Sequence, residues 1–256
     1  MADLTKPYDE LAAYYDQIFE NWEVSIARQA KVVGGILHHE CGGRHPIRVL
    51  DCACGIGTQS LGLAMEGFNV TGCDPSYGAI QRACSEASKR RLSIPFSVAN
   101  MVQLSAIPDS SFDAVICMDN SLPHLETDGE LLQAAQQAHG KLRPGGSFIG
   151  SIRDYDRFVV ERPKTQGPSF YSDSGRRRIV FQVWDWVDER RYRFHLYITR
   201  STESAWQTLH FTSTCRAVLR SELRQILEQA GFNNVRWVLP SDSAFYQPIF
   251  IAHRNR

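Results

Sequence analysis

Little in this sequence is in excess. Its 28 basic and 28 acidic side chains cancel to a formal net charge of zero, so no global field draws the chain onto a nucleic-acid backbone or an anionic membrane. No run of about 18 apolar residues occurs, the length a membrane-spanning helix needs. The opening Met-Ala-Asp-Leu-Thr-Lys-Pro-Tyr-Asp-Glu is polar where a secretion signal requires an apolar stretch. These absences read as a cytoplasmic protein with no nucleic-acid or membrane partner. Paired cysteine spacing is missing too. The seven cysteines are an odd number, and Cys52, Cys54 and Cys73 fall in apolar segments where free thiols behave as small hydrophobes. His38, His39, Cys41 and His45 cluster in a glycine-rich connection without a zinc-ligand spacing, so no metal site is expected.

What is present is an alternation. Its 256 residues fit one large α/β domain or a domain with one insertion. Apolar positions at three- and four-residue spacing over residues 8–40 predict one or two amphipathic helices. Arg48 to Cys54 is a short apolar run that ends in Gly55-Ile56-Gly57, and Ser60 to Met65 resumes with helix-forming residues. Strands are then expected at Phe68–Asp74, Pro95–Asn100, Phe112–Met118 and Ser147–Ile152, with helices at Ala79–Arg90 and Asp128–Leu142 between them. Such an order implies a parallel, doubly wound sheet. Beyond Tyr155 the pattern changes: Arg178–Val187, Tyr192–Thr199 and Trp206–Cys215 are aromatic and β-branched runs with turns between them, which predicts an inserted antiparallel meander. A helix over Ser221–Ala230, with Ser221 as its N-cap, and strands at Val235–Leu239 and Gln247–His253 complete the chain. The expected organisation is an N-terminal helical layer (1–45), a Rossmann-like cofactor domain (46–156 and 219–256), and an inserted antiparallel subdomain (157–218) for substrate or oligomerisation.

The turn at Gly55-Ile56-Gly57 lacks the third glycine of a dinucleotide fingerprint, but two glycines still let the backbone approach a ligand closely. Asp74, about 20 residues on at a strand end, is where a carboxylate accepts the hydroxyls of a ribose. Asp51-x-Ala53-Cys54-Gly55-x-Gly57 resembles the first motif of the class I S-adenosylmethionine-dependent methyltransferases. Asp74, Asn100-Met101, Phe112 to Cys117 and Leu142-Arg143-Pro144-Gly145-Gly146 follow in that superfamily's order. The resemblance implies S-adenosylmethionine as cofactor, a doubly wound fold, and cofactor contacts from Asp51, Ala53, Gly55, Gly57, Asp74, Asn100, Met101, Met118 and Trp22. Asn120 and His124 would then face the sulfonium. Phe112-Asp113-Ala114-Val115-Ile116-Cys117-x-x-Asn120-Ser121-x-x-His124, with Ile152-Arg153-Asp154-Tyr155-Asp156 and Trp22-Glu23, is similar to the glycine and sarcosine N-methyltransferases. That likeness implies an arginine gripping an amino acid's carboxylate.

Arg153 also stands on its own chemistry, because a guanidinium offers a planar fork matched to a carboxylate and stays charged at any working pH. Its plain alternative is an ion pair with Asp154, Asp156 or Glu161. Tyr15 and Tyr171 join it as candidate acceptor contacts, since aromatic faces favour cationic sulfonium and ammonium groups, as do Asn120 and Asp119, whose side-chain oxygens could orient an amine's hydrogens. Direct displacement on a sulfonium methyl needs orientation and exclusion of water, so no enzyme nucleophile is expected. The reading is a methyltransferase acting on a small molecule, with a homo-oligomer left open. Oxygen or carbon acceptors on a natural product remain as rivals. So do an RNA methyltransferase, for which Arg176-Arg177-Arg178 with Arg190, Arg191 and Arg193 is the only basic cluster, and a non-catalytic cofactor-binding protein.

Overall fold

The computed structural model describes residues 6–173 and 175–256. Five strands form the parallel part of the main sheet: β1 (Arg48–Asp51), β2 (Asn69–Asp74), β3 (Phe96–Val98), β4 (Phe112–Cys117) and β5 (Leu142–Ser151). Two more, β10 (Phe232–Val238) and β11 (Ile249–Arg254), give the order β10-β11-β5-β4-β1-β2-β3. β11 runs antiparallel between β5 and β10. The chain leaves β1 toward β2 and β3, then returns to the other side of β1 with β4. This reversal opens a crevice at the carboxyl ends of β1 and β4, where open α/β sheets receive ligands.

Alternation within the strands fixes the two faces. Val49, Ile116 and Ile149 point to helix α2 (Trp22–Cys41), where they pack with Val33 and Leu37. Leu50, Val115 and Phe148 point the other way, toward α5 (Asp128–Lys141) and α7 (Arg220–Gln229). Each fully buried side chain of this kind contributes about 1.5–3 kcal/mol. α2 starts where the Asn21 side chain accepts the Val24 N–H, and stops at Gly42 in the left-handed conformation. It crosses α3 (Thr58–Met65) closely: a Cβ on Gly62 would lie 2.7 Å from the Ala30 Cβ. α4 (Tyr77–Lys89) is capped by Ser76. α1 (Lys6–Leu11) and a 3-10 turn at Tyr15–Ile18 precede α2.

The second sheet has four strands in simple order, β6 (Thr165–Asp173), β7 (Arg176–Trp186), β8 (Arg191–Ser201) and β9 (Trp206–Arg216). Its turn at Asp188 forms because the Asp188 carboxylate accepts the N–H groups of Arg190 and Arg191. Trp184, Tyr192 and Cys215 root this sheet in the same core as β1 and β4. Three expectations change. A fourth antiparallel strand, β6, precedes the three read from the pattern, and a seven-residue helix α6 (Tyr155–Glu161) leads into it. Helix α7 begins at Arg220, with Glu222 accepting the Leu219 N–H, so Ser221 lies inside it and is not its cap. His38, His39 and Cys41 close α2 rather than lie in a connection. No metal-holding group of three or more His, Cys, Asp or Glu occurs among the described residues, and no described helix is long and apolar enough to cross a membrane.

Candidate active site

The glycine turn is built from left-handed backbone, with Gly55 at φ +51° and Gly57 at φ +96°. Such angles strain any residue with a Cβ. Nothing lies within 4 Å of where a Gly55 Cβ would stand, so open space faces the turn. Asp74, at the end of β2, accepts the Gly55 N–H at 2.9 Å with one oxygen and the Ser76 N–H at 2.9 Å with the other. It remains half-buried, and burial raises its pKa. Asp51 faces inward instead. It is buried, accepts the Ser60 hydroxyl at 2.7 Å, and burial pushes its carboxyl up to about 7. Trp22 donates its indole N–H to the Thr58 hydroxyl at 2.9 Å, which ties α2 to the first turn of α3. Ala53 is half-buried beside the turn. Asn100 is exposed and accepts the Val102 N–H, while the Met101 and Met118 side chains lie in the core, on opposite faces of the sheet. These residues fit a nucleoside-bearing ligand: a bare glycine turn, an acid at the next strand end bonded to it, and open space in front of Gly55.

Beyond the end of β4, Asp119 and Asn120 both adopt positive φ, +56° and +67°. Asn and Asp tolerate this region better than other residues with a side chain. The turn throws Asp119 into the crevice, where it accepts hydrogen bonds from Gln59, at 2.9 Å, and from the Tyr246 hydroxyl. Gln59 also donates to Gln29, whose own side-chain nitrogen is buried without a partner. Asn120 spends its carbonyl on the Arg153 N–H at 3.0 Å, which fixes the start of the next loop.

His124 sits in a 3-10 turn, Leu122–His124. Its Nδ1 lies 3.2 Å from the Thr214 carbonyl and its Nε2 2.8 Å from the Tyr8 hydroxyl. A carbonyl can only accept, so Nδ1 carries the hydrogen and Nε2 receives the tyrosine O–H. Burial pushes the imidazole pKa down to about 4, which keeps it neutral.

These groups border a cavity of about 970 Å³. Tyr15, Asn120, His124, Arg153 and Tyr171 all line it; Trp22 and the glycine turn do not. Arg153 donates to the Tyr192 hydroxyl and to Gln182, each at 3.2 Å, and its guanidinium lies 4.6 Å from the Trp184 ring centre. Among the described residues no carboxylate pairs with it. The alternative read from the sequence is absent because Asp154 and Asp156 pair with Arg220, and Glu161 pairs with Arg157. Sequence patterns did not point to Tyr8, Gln182 or Tyr192, which come from distant elements. Phe19 is half-buried on the cavity wall. Arg28, six residues after Trp22, lines the cavity too. The basic cluster dissolves in part: Arg178 is buried and donates to the carbonyls of Phe19, at 3.0 Å, and Glu20.

Comparison with known proteins accords with this geometry. Residues 49–146 match a methyltransferase domain family. The glycine N-methyltransferase of Rattus norvegicus is 33% identical over 157 residues, 57% of this chain and 52% of that protein. The glycine/sarcosine N-methyltransferase of Aphanothece halophytica is 24% identical over 208 residues, 80% of this chain and 74% of that protein. This chain thus spans about half the length of the first of these relatives. A solved structure of a SAM-bound amino pentose methyltransferase from Micromonospora echinaspora superposes with a TM-score of 0.73 at 18% identity, covering 90% of this chain and 92% of the other. The fold is that of the class I S-adenosylmethionine-dependent methyltransferases.

Proposed function

From this premise, we propose that the protein transfers a methyl group from S-adenosylmethionine to the amine of a small molecule that bears a carboxylate. Arg153 carries the reading: a guanidinium on the cavity wall, held in plane by a hydroxyl, an amide and an indole, with no carboxylate of its own. Such a fork is prepared for an external anion. The names of the glycine and sarcosine N-methyltransferase relatives agree with an amino-acid-like acceptor.

S-adenosylmethionine, when bound, supplies an electrophilic methyl on a sulfonium. The chain's own residues bind and orient. The Gly55–Gly57 turn admits close backbone approach, Asp74 accepts the ribose hydroxyls, and Asn100 and Met101 border the base. Arg153 seats the acceptor's carboxylate, and Asn120 holds the Arg153 backbone in register. An amine must lose a proton to expose its lone pair. Asp119 faces the cavity with its carboxyl pKa raised by burial, and is the group placed to accept that proton. Tyr15 and Phe19 exclude water. His124 stays neutral and orients Tyr8. No nucleophile enters this scheme, since displacement is direct.

The test is an assay for S-adenosylhomocysteine release with amino acids, biogenic amines and phenols as acceptors, beside calorimetric titration of S-adenosylhomocysteine into wild type and Asp74→Ala. Turnover on carboxylate-bearing amines, with cofactor-product affinity at least tenfold weaker in the variant, is expected. Turnover confined to phenols, or unchanged affinity in Asp74→Ala, would overturn the reading.

A further inference from the structure

The cavity is much larger than glycine requires, and it lies apart from the nucleoside side of the site. A cavity of about 970 Å³ holds on the order of thirty waters at about 30 Å³ each, whereas glycine has five heavy atoms. None of Gly55, Gly57, Asp74, Asn100 or Met101 lines it, so the adenosine half of a bound cofactor does not account for the space. Its walls come from the N-terminal segment, the ends of β4 and β5, the inner face of the four-stranded sheet, and the loop before β11.

Those walls are unequal. Arg153 and Gln182 mark one polar point and Asp119 with Tyr246 another. Glu20, Arg28, Asp154, Arg157 and Arg220 add further charge, while Tyr15, Ile18, Phe19, Tyr171, Val180 and Phe194 supply an apolar and aromatic surface. Tyr15 and Phe19 lie with ring centres 6.1 Å apart, and Tyr171 is backed by the Arg178 guanidinium 4.9 Å from its ring. A cavity of this size that sets polar groups beside an aromatic surface suits a ligand with both a charged end and an apolar body.

We infer that the acceptor is an amino carboxylate carrying a bulky apolar, ring-bearing body, not glycine or sarcosine. This inference rests on the methyltransferase reading and refines its substrate class. The carboxylate docks at Arg153, the amine is presented on the Asp119 side, and the body stacks on the Tyr15, Phe19 and Tyr171 wall. Glycine leaves that wall wetted and gains only the polar contacts.

Calorimetry on protein saturated with S-adenosylhomocysteine tests this directly, with glycine, phenylalanine, tryptophan, glycylphenylalanine and phenethylamine as probes. At least one of the three bulky acids is expected to bind tenfold or more tighter than glycine, and phenethylamine, which lacks the carboxylate, to bind tenfold or more weaker than phenylalanine. Ser169→Trp fills the cavity from β6. It should weaken the bulky acids at least tenfold while S-adenosylhomocysteine affinity, which also reports folding, stays unchanged. Glycine binding as tightly as every bulky acid, or no bulky acid binding at all, overturns the inference while cofactor-product binding leaves the methyltransferase reading standing. Loss of S-adenosylhomocysteine binding in the wild type would defeat both.

Discussion

The guanidinium of Arg153 is held over the indole of Trp184, 4.6 Å from its ring centre, and Trp184 is in turn stacked on Tyr192 at 4.5 Å. Tyr192 donates to or accepts from Tyr155 at 2.8 Å. The cation is thus positioned by aromatic faces and hydroxyls, which leaves its charge for a ligand. Replacing the fork with a point charge removes bidentate geometry but keeps the sign. Arg153→Lys is expected to raise KM for a carboxylate-bearing acceptor about 10- to 100-fold, corresponding to about 1.5–3 kcal/mol for a charge-assisted hydrogen bond, with kcat nearly unchanged. Steady-state kinetics decide: equal constants in the two proteins would make Arg153 a packing residue only.

Asp51 gives a pH signature. Burial lifts its carboxyl to about 7, offset in part by the Ser60 hydroxyl and the Ala53 N–H, against about 3.9 for an unstructured aspartate. The folded state therefore binds the proton more tightly, and this group's contribution to stability is full below pH 4 and lost as pH rises to 7. The loss is on the order of a few kcal/mol, at about 1.4 kcal/mol per pKa unit. Asp51→Asn keeps the shape of the protonated acid without its titration. Urea unfolding of the cofactor-free proteins should show the variant's stability advantage over wild type widening by about 2–3 kcal/mol between pH 5 and pH 8. The same difference at both pH values would mean that Asp51 is ionised throughout.

How much of this was readable beforehand depends on sequence distance. The path from Asp51 through Gly55 and Gly57 to Asp74 spans 24 consecutive positions, and its meaning lies in local backbone geometry. Strand β6 was not readable. Gly167-Pro168 interrupts its alternation, and the pairing with β7 shifts register between Gln166 and Ser169. Helix α6 was equally silent, because Tyr155, Phe158, Val159 and Val160 are weak helix formers in a seven-residue stretch. The partners of Arg153 lie 29 and 39 residues away, and those of His124 lie up to 116 away. Nothing in the order of residues announces such meetings. They exist only once the second sheet has packed on the first.

His124 should not behave as an ordinary histidine. Its pKa, driven down by burial to about 4, lies below the usual value of about 6.5. The folded state then binds fewer protons than the unfolded chain between those values, so stability present above pH 6.5 declines as pH falls toward 4. Carbon-13 labelled histidine spectra are expected to show His124 neutral from pH 5.5 upward, and the kcat/KM profile to lack a step that it would cause near 6.5. A titration of its Cε1 resonance centred near 6.5 would contradict the buried, carbonyl-bonded geometry.

Gly62 tests the crossing of α2 and α3. In an exposed helix, glycine to alanine stabilises by roughly 1 kcal/mol. Here the added methyl would stand 2.7 Å from the Ala30 Cβ and 2.8 Å from the Ile26 carbonyl oxygen, so the helices must part. Gly62→Ala is expected to destabilise by about 1–3 kcal/mol through overpacking, read from the midpoint of denaturant unfolding. A gain in stability would show that the helices separate freely.

The N-terminal segment reaches both halves of the site. Asp9 accepts hydrogen bonds from the Ser76 hydroxyl and the Gly78 N–H at the start of α4, Arg82 donates to the carbonyls of Ala12 and Ala13, and Tyr8 meets His124 on the acceptor side. One strip of chain thus spans the helix that follows Asp74 and the cavity wall that carries Arg153. On the proposed methyl transfer, processivity would turn on which of these fastenings yields first. Opening on the α4 side would exchange spent cofactor while a singly methylated acceptor stayed seated for a second round; opening at Tyr8 would send it out after one.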